Sequence, residues 1–518
     1  MEFNFFRKEL FKDILMFLPG LILRIILILV PIEIFLVFYY PDDVFYYWKI
    51  AQNLVIGNGF SFDGVTLTNG FQPLWLFIIA PFFIFTNNAI VLARIFGVIQ
   101  IIFSLISSIF VFKLTKSLTN NKTTTYIASL IFWYSPQLIL INLNGMETTL
   151  AIMTVILSLY YFQSKMLKDF SYKNVAITGI FVGISILARL DGILLAASMF
   201  VYLIIFYKKV NQKNLMDYIK KNIAFIGIIV GIALPFFIIS FFYFGTFLPN
   251  SAETLMYGIN YDLTTILYYI LRVFWVQNYV VFILHLIPFL FYYLYKSQSF
   301  RKLVIKDLFV QISYLILMII FYSIILYISR TRYFVVISIL FIILFADMTY
   351  NICNDAIDLM KRKNLRITQY QYLKQTFILL LCSCSLIGSF FMLYFGTSKS
   401  LTVGNSAHLD AYSTAYWLKN NISADERIAG FNVGIIGYFS ERTVINLDGV
   451  VNNEMVQVYQ NKSLMQYILD RNISYLVDSH NMLVNSLSQH STLNYSNYCS
   501  LYHSLSGNIE VWYVNHTI

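Results

Sequence analysis

The stretch PDDVFYYWKIAQNLVIGNGFSFDGVTLTNGFQPLW, residues 41–75, decides how the chain is organised. It starts where an apolar run over residues 15–39 has just ended, and Pro41 closes that run ahead of two adjacent carboxylates, Asp42 and Asp43. Val44, Trp48, Ala51 and Val55 then recur at i, i+4, i+7 and i+11, which is one face of a helix. The spacing predicts an amphipathic helix lying along a surface, stopped by Gly57-Asn58-Gly59. Carboxylates in the first turn of such a helix sit where backbone N–H groups favour negative charge. Plain N-capping by Asp43 is the modest account of that placement. An ionised carboxylate at the outer end of an apolar run can also take a proton from a hydroxyl.

Working outward, the composition makes the surface in question a membrane. The chain has 518 residues, 58% hydrophobic and 12% charged, with mean hydropathy +0.69, where soluble domains run near a quarter charged. Apolar runs of about 20 residues, the length that spans a bilayer, recur about eleven times. They lie near 15–39, 89–112, 123–142, 146–163, 173–189, 190–207, 221–244, 263–294, 306–328, 332–350 and 374–396. The net charge of +10 would suit nucleic acid if it were clustered on a face, but it lies in short loops between these runs, which excludes that partner. Cys353, Cys382, Cys384, Cys499 and the scattered histidines form no metal-binding or disulfide spacing. The first run lacks a small-residue cleavage site and reads as a retained span.

The cations orient the runs. They gather before the first run (Arg7, Lys8, Lys12), around Lys113–Lys122 and Lys165–Lys173, and around Lys208–Lys221, Lys296–Lys306 and Lys361–Lys374. The intervening loops hold only Lys49, Arg189, Arg330 and Arg332, so those loops face outside. Residues 72–86 are apolar enough to span, yet counting them would turn every later basic loop outward. They are expected to lie in the outer interface, with Trp75 as an anchor. The domains are then a membrane domain over 1–396, with a first outer loop at 41–88, and an extracytoplasmic α/β domain over 397–518. In that tail the pattern predicts helices at 410–421 and 461–471 and strands at 427–431, 443–447, 473–478 and 508–514.

Several outer loops carry ionisable or amide groups: Asp42, Asp43, Asn69, Glu147, Arg189, Asp191, Asn250, Glu253, Arg330 and Arg332. Such groups are costly against lipid and usually face a cavity, so a cleft between the helix ends and the tail is expected. Each has a local alternative: Glu147 caps the helix after it, Arg189 pairs with Asp191, Asn250 and Glu253 belong to a proline turn opening a helix, and Arg330 and Arg332 snorkel. Among charges inside runs (Arg24, Arg94, Arg272, Asp347), Arg94 and Arg272 fall near outer ends and suit phosphate binding. One reaction fits the inventory. A polyprenyl-phosphate sugar buries its tail in the bilayer and presents its phosphate at the outer interface. Displacement at its anomeric carbon needs a base, Asp42 or Asp43, and cations for the departing phosphate, from Arg189, Arg330, Arg332 or Lys49. No covalent intermediate is required, so inversion is expected.

These residues resemble a known group. The Asp42-Asp43 pair with KIAQN, GNGFSFDG and TNGFQPLW is similar to the first outer loop of GT-C glycosyltransferases, in the branch near arabinofuranosyltransferases and the lipid A aminoarabinose transferase, with protein O-mannosyltransferases more distant. NGMETTL, ARLDG, FGTFLPN, TRYFV and the tail stretch WLKNNISADERIAGFNVGIIGYFSERTVINLDGVVN follow the same branch in order. The resemblance implies a mainly α, polytopic enzyme of the cell (plasma) membrane with Asp42 or Asp43 as base. It implies a polyprenyl-phosphate sugar donor among membrane lipids and an acceptor hydroxyl on a glycan, lipid or protein. It also places residues 72–86 in the interface. Where many relatives have His after the NGF, this chain has Gln72, so a ligand role at that position does not carry over. Some members use a divalent cation, Mg or Mn, chiefly with diphosphate donors, and that point stays open. The rival classes are a transporter or flippase of a lipid-linked or sugar substrate, with polar broken helices at midplane, and a structural protein displaying the tail.

Overall fold

The computed structural model describes residues 16–206, 215–247, 249, 262–281, 287–326, 330–361, 367–504 and 509–517. It is mainly helical with a small C-terminal sheet. Ala89–Thr119, Leu215–Phe244 and Thr331–Asp358 are long and apolar enough to cross a bilayer, and counting each bent pair of helices as one span raises these to five. The bends have local causes. The first run breaks by 112° between Met16–Ile28 and Ile32–Phe38, at Pro31, which lacks an N–H and forces extended backbone before it. Pro136 likewise divides the apolar run 123–142 into Lys122–Tyr134 and Pro136–Ile141. Leu215–Phe244 leaves Ile223, Val230, Leu234 and Phe242 exposed, a face suited to lipid rather than water.

Arg24, inside the first run, is fully enclosed. It donates to Gly20 O at 3.0 Å and Trp133 O at 2.9 Å, and its guanidinium lies 3.8 Å from the Trp133 ring centre. It clamps the first helix onto Lys122–Tyr134.

Residues 73–84 form a short helix, Pro73–Ile79, tightening into a 3-10 turn, Ala80–Ile84. Twelve residues rise about 20 Å, short of the roughly 30 Å apolar thickness of a bilayer. Trp75 is not an interfacial anchor: it is fully buried, and its Nε1 donates to Gly145 O at 3.2 Å. An indole N–H away from water needs such an acceptor.

The helix predicted after Pro41 is Asp43–Ile56, ended by Gly57 at φ +94°, a conformation only glycine adopts without strain. The expected stripe Val44, Trp48 and Ala51 is buried, but so are Phe45, Tyr46 and Ile50. The helix is covered on a second side by the tail.

The tail explains this. Helix Ile367–Asn421 is continuous across residue 397 and delivers the chain into a five-stranded sheet. Its strands are β1 Arg427–Gly430, β2 Thr443–Asn446, β3 Ile473–Ser479, β4 Cys499–Ser504 and β5 Ile509–Val514, in the order β2-β1-β3-β5-β4. β1 pairs in parallel with β2 and β3, and β5 runs antiparallel to β3 and β4. Successive strand residues point to opposite faces. Ala429, Ile445, Leu476 and Trp512 pack under the tail's own helices. Their neighbours Ile428, Val444, Val477 and Val511 join Phe45, Trp48, Tyr438 and Phe439 in a core shared with the first loop. One face of the sheet is the tail's interior; the other is fastened to helix Asp43–Ile56.

Candidate active site

Asp42 and Asp43 are adjacent, and a helix turns about 100° per residue, so they serve different neighbours. Asp42 occupies the N-cap position of its helix without capping it. Its carboxylate instead accepts Gly434 N at 2.8 Å and Ile435 N at 2.7 Å from the tail. Burial pushes its pKa up to about 6 against these two bonds. A Cβ on Gly434 would meet Asp42 O at 2.3 Å, so the approach requires glycine there. Tyr46, one turn on, extends the same seam: it donates to Phe431 O at 3.3 Å and accepts from Val433 N and Asn446 Nδ2, both at 3.2 Å.

Asp43 faces inward. Its Oδ2 receives Arg330 Nη1 at 3.1 Å and, in closer contact, Arg332 Nη2. Burial alone would raise the Asp43 pKa; Arg332 and Arg330 outweigh it and hold the group below its ordinary value. Three residues, Asp43, Arg330 and Arg332, line both of two cavities. The smaller, about 110 Å³, is lined on its polar side by Tyr46, Tyr47, Gln72 and Glu147, and Val450 of the tail closes it. The larger, about 370 Å³, is walled by Phe38 and Tyr39 at the end of the first apolar run and by Leu140 and Ile141 of helix Pro136–Ile141.

Arg332 is itself supported from behind. Arg189 Nη1 donates to Arg332 O at 2.8 Å, and its Nη2 meets Asp191 Oδ2 at 2.6 Å and Tyr322 OH at 3.1 Å. Tyr322 donates to Asp191 at 2.7 Å and stacks on Tyr333 at 4.7 Å. The Arg189 and Arg332 guanidinium carbons lie 5.0 and 5.3 Å from the centre of the Tyr333 ring. Arg189 thus forms the local pair with Asp191 and also donates to the main chain of the arginine that meets Asp43.

Glu147, 3% exposed, lines the smaller cavity. The Tyr47 hydroxyl is its electrostatic neighbour, and Tyr47 OH accepts Gln72 N at 3.1 Å. Gln72 Oε1 accepts Leu190 N at 3.1 Å, so Gln72 ties its own turn to the one that carries Arg189 and Asp191. Asn69 donates to Thr246 Oγ1 at 2.9 Å.

Other expected residues lie elsewhere. Lys49 interacts with Glu441 of the tail, burial lowering its pKa. Arg94 is exposed, and Arg272 is exposed with its Nη1 on Tyr268 OH at 3.3 Å. Neither these three nor Arg189 and Asp191 line either cavity. Asn250 and Glu253 fall outside the described residues. Asp347 accepts from Asn351 at 3.0 Å within its own helix.

The sequence reading gave no role to Asp448. It lies in the turn of NLDGVV between Asn446, which touches Tyr46, and Val450, which lines the cavity. Asp448 Oδ1 accepts Val450 N at 2.8 Å. Burial, and then the neighbouring Asp43 and Asp42, push its pKa up to about 7. Asp-Gly is a common turn pair, which hides such a carboxylate in plain sequence. Among the described residues no group of three or more His, Cys, Asp or Glu is placed to hold a metal ion. Arginines face the inner carboxylate instead.

Residues 72–239 match the family described as dolichyl-phosphate-mannose-protein mannosyltransferase, and residues 403–512 match a domain family of unknown function. No curated protein matches the sequence. Solved structures are similar in fold. The crystal structure of ArnT from Cupriavidus metallidurans in the apo state aligns over 97% of this chain and 98% of its own, with 11% identity and TM-score 0.62. The same protein bound to undecaprenyl phosphate aligns over 96% and 97%, with 11% identity and TM-score 0.58. The archaeal oligosaccharyltransferase AglB from Archaeoglobus fulgidus, in complex with an inhibitory peptide and a dolichol-phosphate, aligns over 98% of this chain and 75% of its own, with 12% identity and TM-score 0.51.

Proposed function

For a chain with the GT-C glycosyltransferase fold, we propose that it transfers a sugar from a polyprenyl-phosphate donor to a hydroxyl of a glycan, lipid or protein on the outer face of the plasma membrane, with inversion. On this reading the apolar runs cross the membrane about eleven times, and the distribution of the basic loops favours the amino terminus inside and the tail outside. The catalytic unit is residues 1–396 with its outer loop 41–88; residues 397–518 form the tail domain.

The observation that carries this reading is the Asp43–Arg330–Arg332 contact, whose residues line both cavities. The larger, apolar cavity suits the first units of a prenyl chain; the smaller, polar one suits a sugar. The donor phosphate enters between them and binds Arg330 and Arg332, whose donors match phosphate geometry. Each N–H it takes is withdrawn from Asp43. The carboxylate gains basicity as its cations leave it, and it accepts the proton of the incoming hydroxyl as that oxygen bonds to the anomeric carbon. The bond to the phosphate oxygen breaks on the opposite side, and the arginines stabilise the charge that develops there. Asp42, bound to the tail, holds the helix that aims Asp43.

The test is release of free polyprenyl phosphate when purified protein is incubated with polyprenyl-phosphate sugars. Wild-type turnover surviving in Asp43→Asn would remove the mechanism.

A further inference from the structure

The turn that presents Glu147 is held from several sides. Gln100 donates to Met146 O at 2.9 Å and accepts Gly145 N at 3.2 Å. Trp75 donates to Gly145 O at 3.2 Å, Asn144 Oδ1 accepts Met146 N at 3.0 Å, and Thr149 Oγ1 donates to Asn142 O at 3.0 Å. Glu147 stands at the N-cap of helix Thr148–Tyr161, yet its side chain makes no capping bond. The carboxyl points to Tyr47 and the smaller cavity instead.

One oxygen of that carboxyl is left over. Oε2 is enclosed and accepts no hydrogen bond among the described residues, and Nε of Arg332, a residue that lines the same cavity, is enclosed without an acceptor. The two side chains interact electrostatically. A buried acceptor and a buried donor, both unmade, are costly and rare in folded proteins. A rigid turn that leaves both unmade beside one cavity has the form of a subsite prepared for a ligand.

We infer that Glu147 recognises a ring hydroxyl of the transferred sugar, the hydroxyl donating to Oε2 and accepting from Arg332 Nε. A hydroxyl is the small group that does both at once. Phosphate oxygens offer no hydrogen to Oε2, so Glu147 separates the sugar side of the site from the phosphate side. This inference rests on the glycosyl-transfer reading, and Arg332 bridges the two: its outer nitrogens turn to phosphate while Nε meets the ring.

The experiment compares wild type and Glu147→Ala on a set of polyprenyl-phosphate donors, each lacking one ring hydroxyl. In wild type, removing one particular hydroxyl should lower kcat/KM by at least about 100-fold, because the site is built to hydrogen-bond it. In Glu147→Ala, with the full donor already impaired, removing that hydroxyl should cost little more. Glu147→Gln, which keeps the shape, serves where the alanine variant fails to fold. Equal losses in wild type and variant for every donor overturn the inference, and so does coupling to an acceptor hydroxyl instead of a donor one. Absence of wild-type turnover on any polyprenyl-phosphate sugar is a different result, and it overturns the transfer reading.

Discussion

Arg332 lays its guanidinium on the carboxylate of Asp43, 289 positions earlier in the chain. Arg330 adds a second contact from the exposed side, at 3.1 Å. The group proposed as base is therefore neutralised until something anionic competes for its cations. Asp43→Asn keeps the shape and removes the proton acceptor, so turnover should fall by about 10²–10⁴, the usual contribution of a positioned base. Donor binding should be kept or tightened, because the arginines are no longer engaged by a charge. Release assays and donor-binding titrations on the same preparation check both halves.

Arg189 acts at one remove. Its bonds go to Asp191, Tyr322 and the Arg332 carbonyl, and it lines neither cavity. Arg189→Lys retains the charge but cannot make the planar set of contacts. Small displacements of an aligned group cost up to about 100-fold in rate, so kcat should fall while donor KM changes little. Arg330→Ala should show the reverse, since Arg330 is half exposed and contributes mainly to capturing phosphate. Initial-rate kinetics over a range of donor concentrations separate the two; a donor KM that rises equally in both variants places Arg189 on the phosphate after all.

The contrast between these residues indicates what a sequence carries and what it does not. Helix Asp43–Ile56 was legible because its apolar face repeats at helical spacing, and four tail strands lie close to their expected positions. The strand Cys499–Ser504 and helix His480–His490 were not. The strand sits at the sheet edge and is largely exposed, and the helix buries only Leu483 and Leu487, too few to mark a period. The span count was blurred by Pro31 and Pro136, which bend runs that look continuous in hydropathy. Within the site, Asp43, Glu147, Arg330 and Arg332 were legible as outer polar residues, and the cavity joins them. Their pairing was not, because no local rule relates residues nearly 290 positions apart. Asp448 was hidden by its resemblance to an ordinary turn, and Arg94 and Arg272 shared the charge of the site residues without their position.

The docking of the tail depends on the closeness of Gly434 to Asp42. Gly434→Ala puts a methyl group against the Asp42 carbonyl and carboxylate, where the nearest atom lies 2.3 Å from the Cβ position. Neither backbone can move without disturbing the Gly434 and Ile435 bonds. Overpacking of this kind costs about 1–3 kcal/mol. Thermal unfolding in detergent should show a lowered midpoint, and limited proteolysis should cut more readily in the tail. An unchanged midpoint together with unchanged proteolysis removes Asp42 as the fastening point.

That fastening should also respond to pH, with a sign fixed by burial. Asp42 has its pKa raised from 3.8 to about 6, and Asp448 from 3.8 to about 7. A carboxyl whose pKa is higher in the folded protein binds more protons there than in the unfolded chain, so its contribution falls as pH rises through that window. Stability from these two groups is present below about pH 4 and is lost by about pH 7. Asp43 runs the other way: its lowered pKa contributes above the ordinary carboxylate range and fails only in stronger acid. For Asp42, two pH units correspond to roughly 2–3 kcal/mol. The midpoint of tail release should therefore fall between about pH 5 and pH 7 in wild type. In Asp448→Asn, which cannot ionise, the fall should be shallower and confined to the Asp42 range. If the wild-type midpoint instead rises across that interval, the buried carboxylates are stabilised as anions by Gly434 N and Ile435 N on Asp42 and by Val450 N on Asp448.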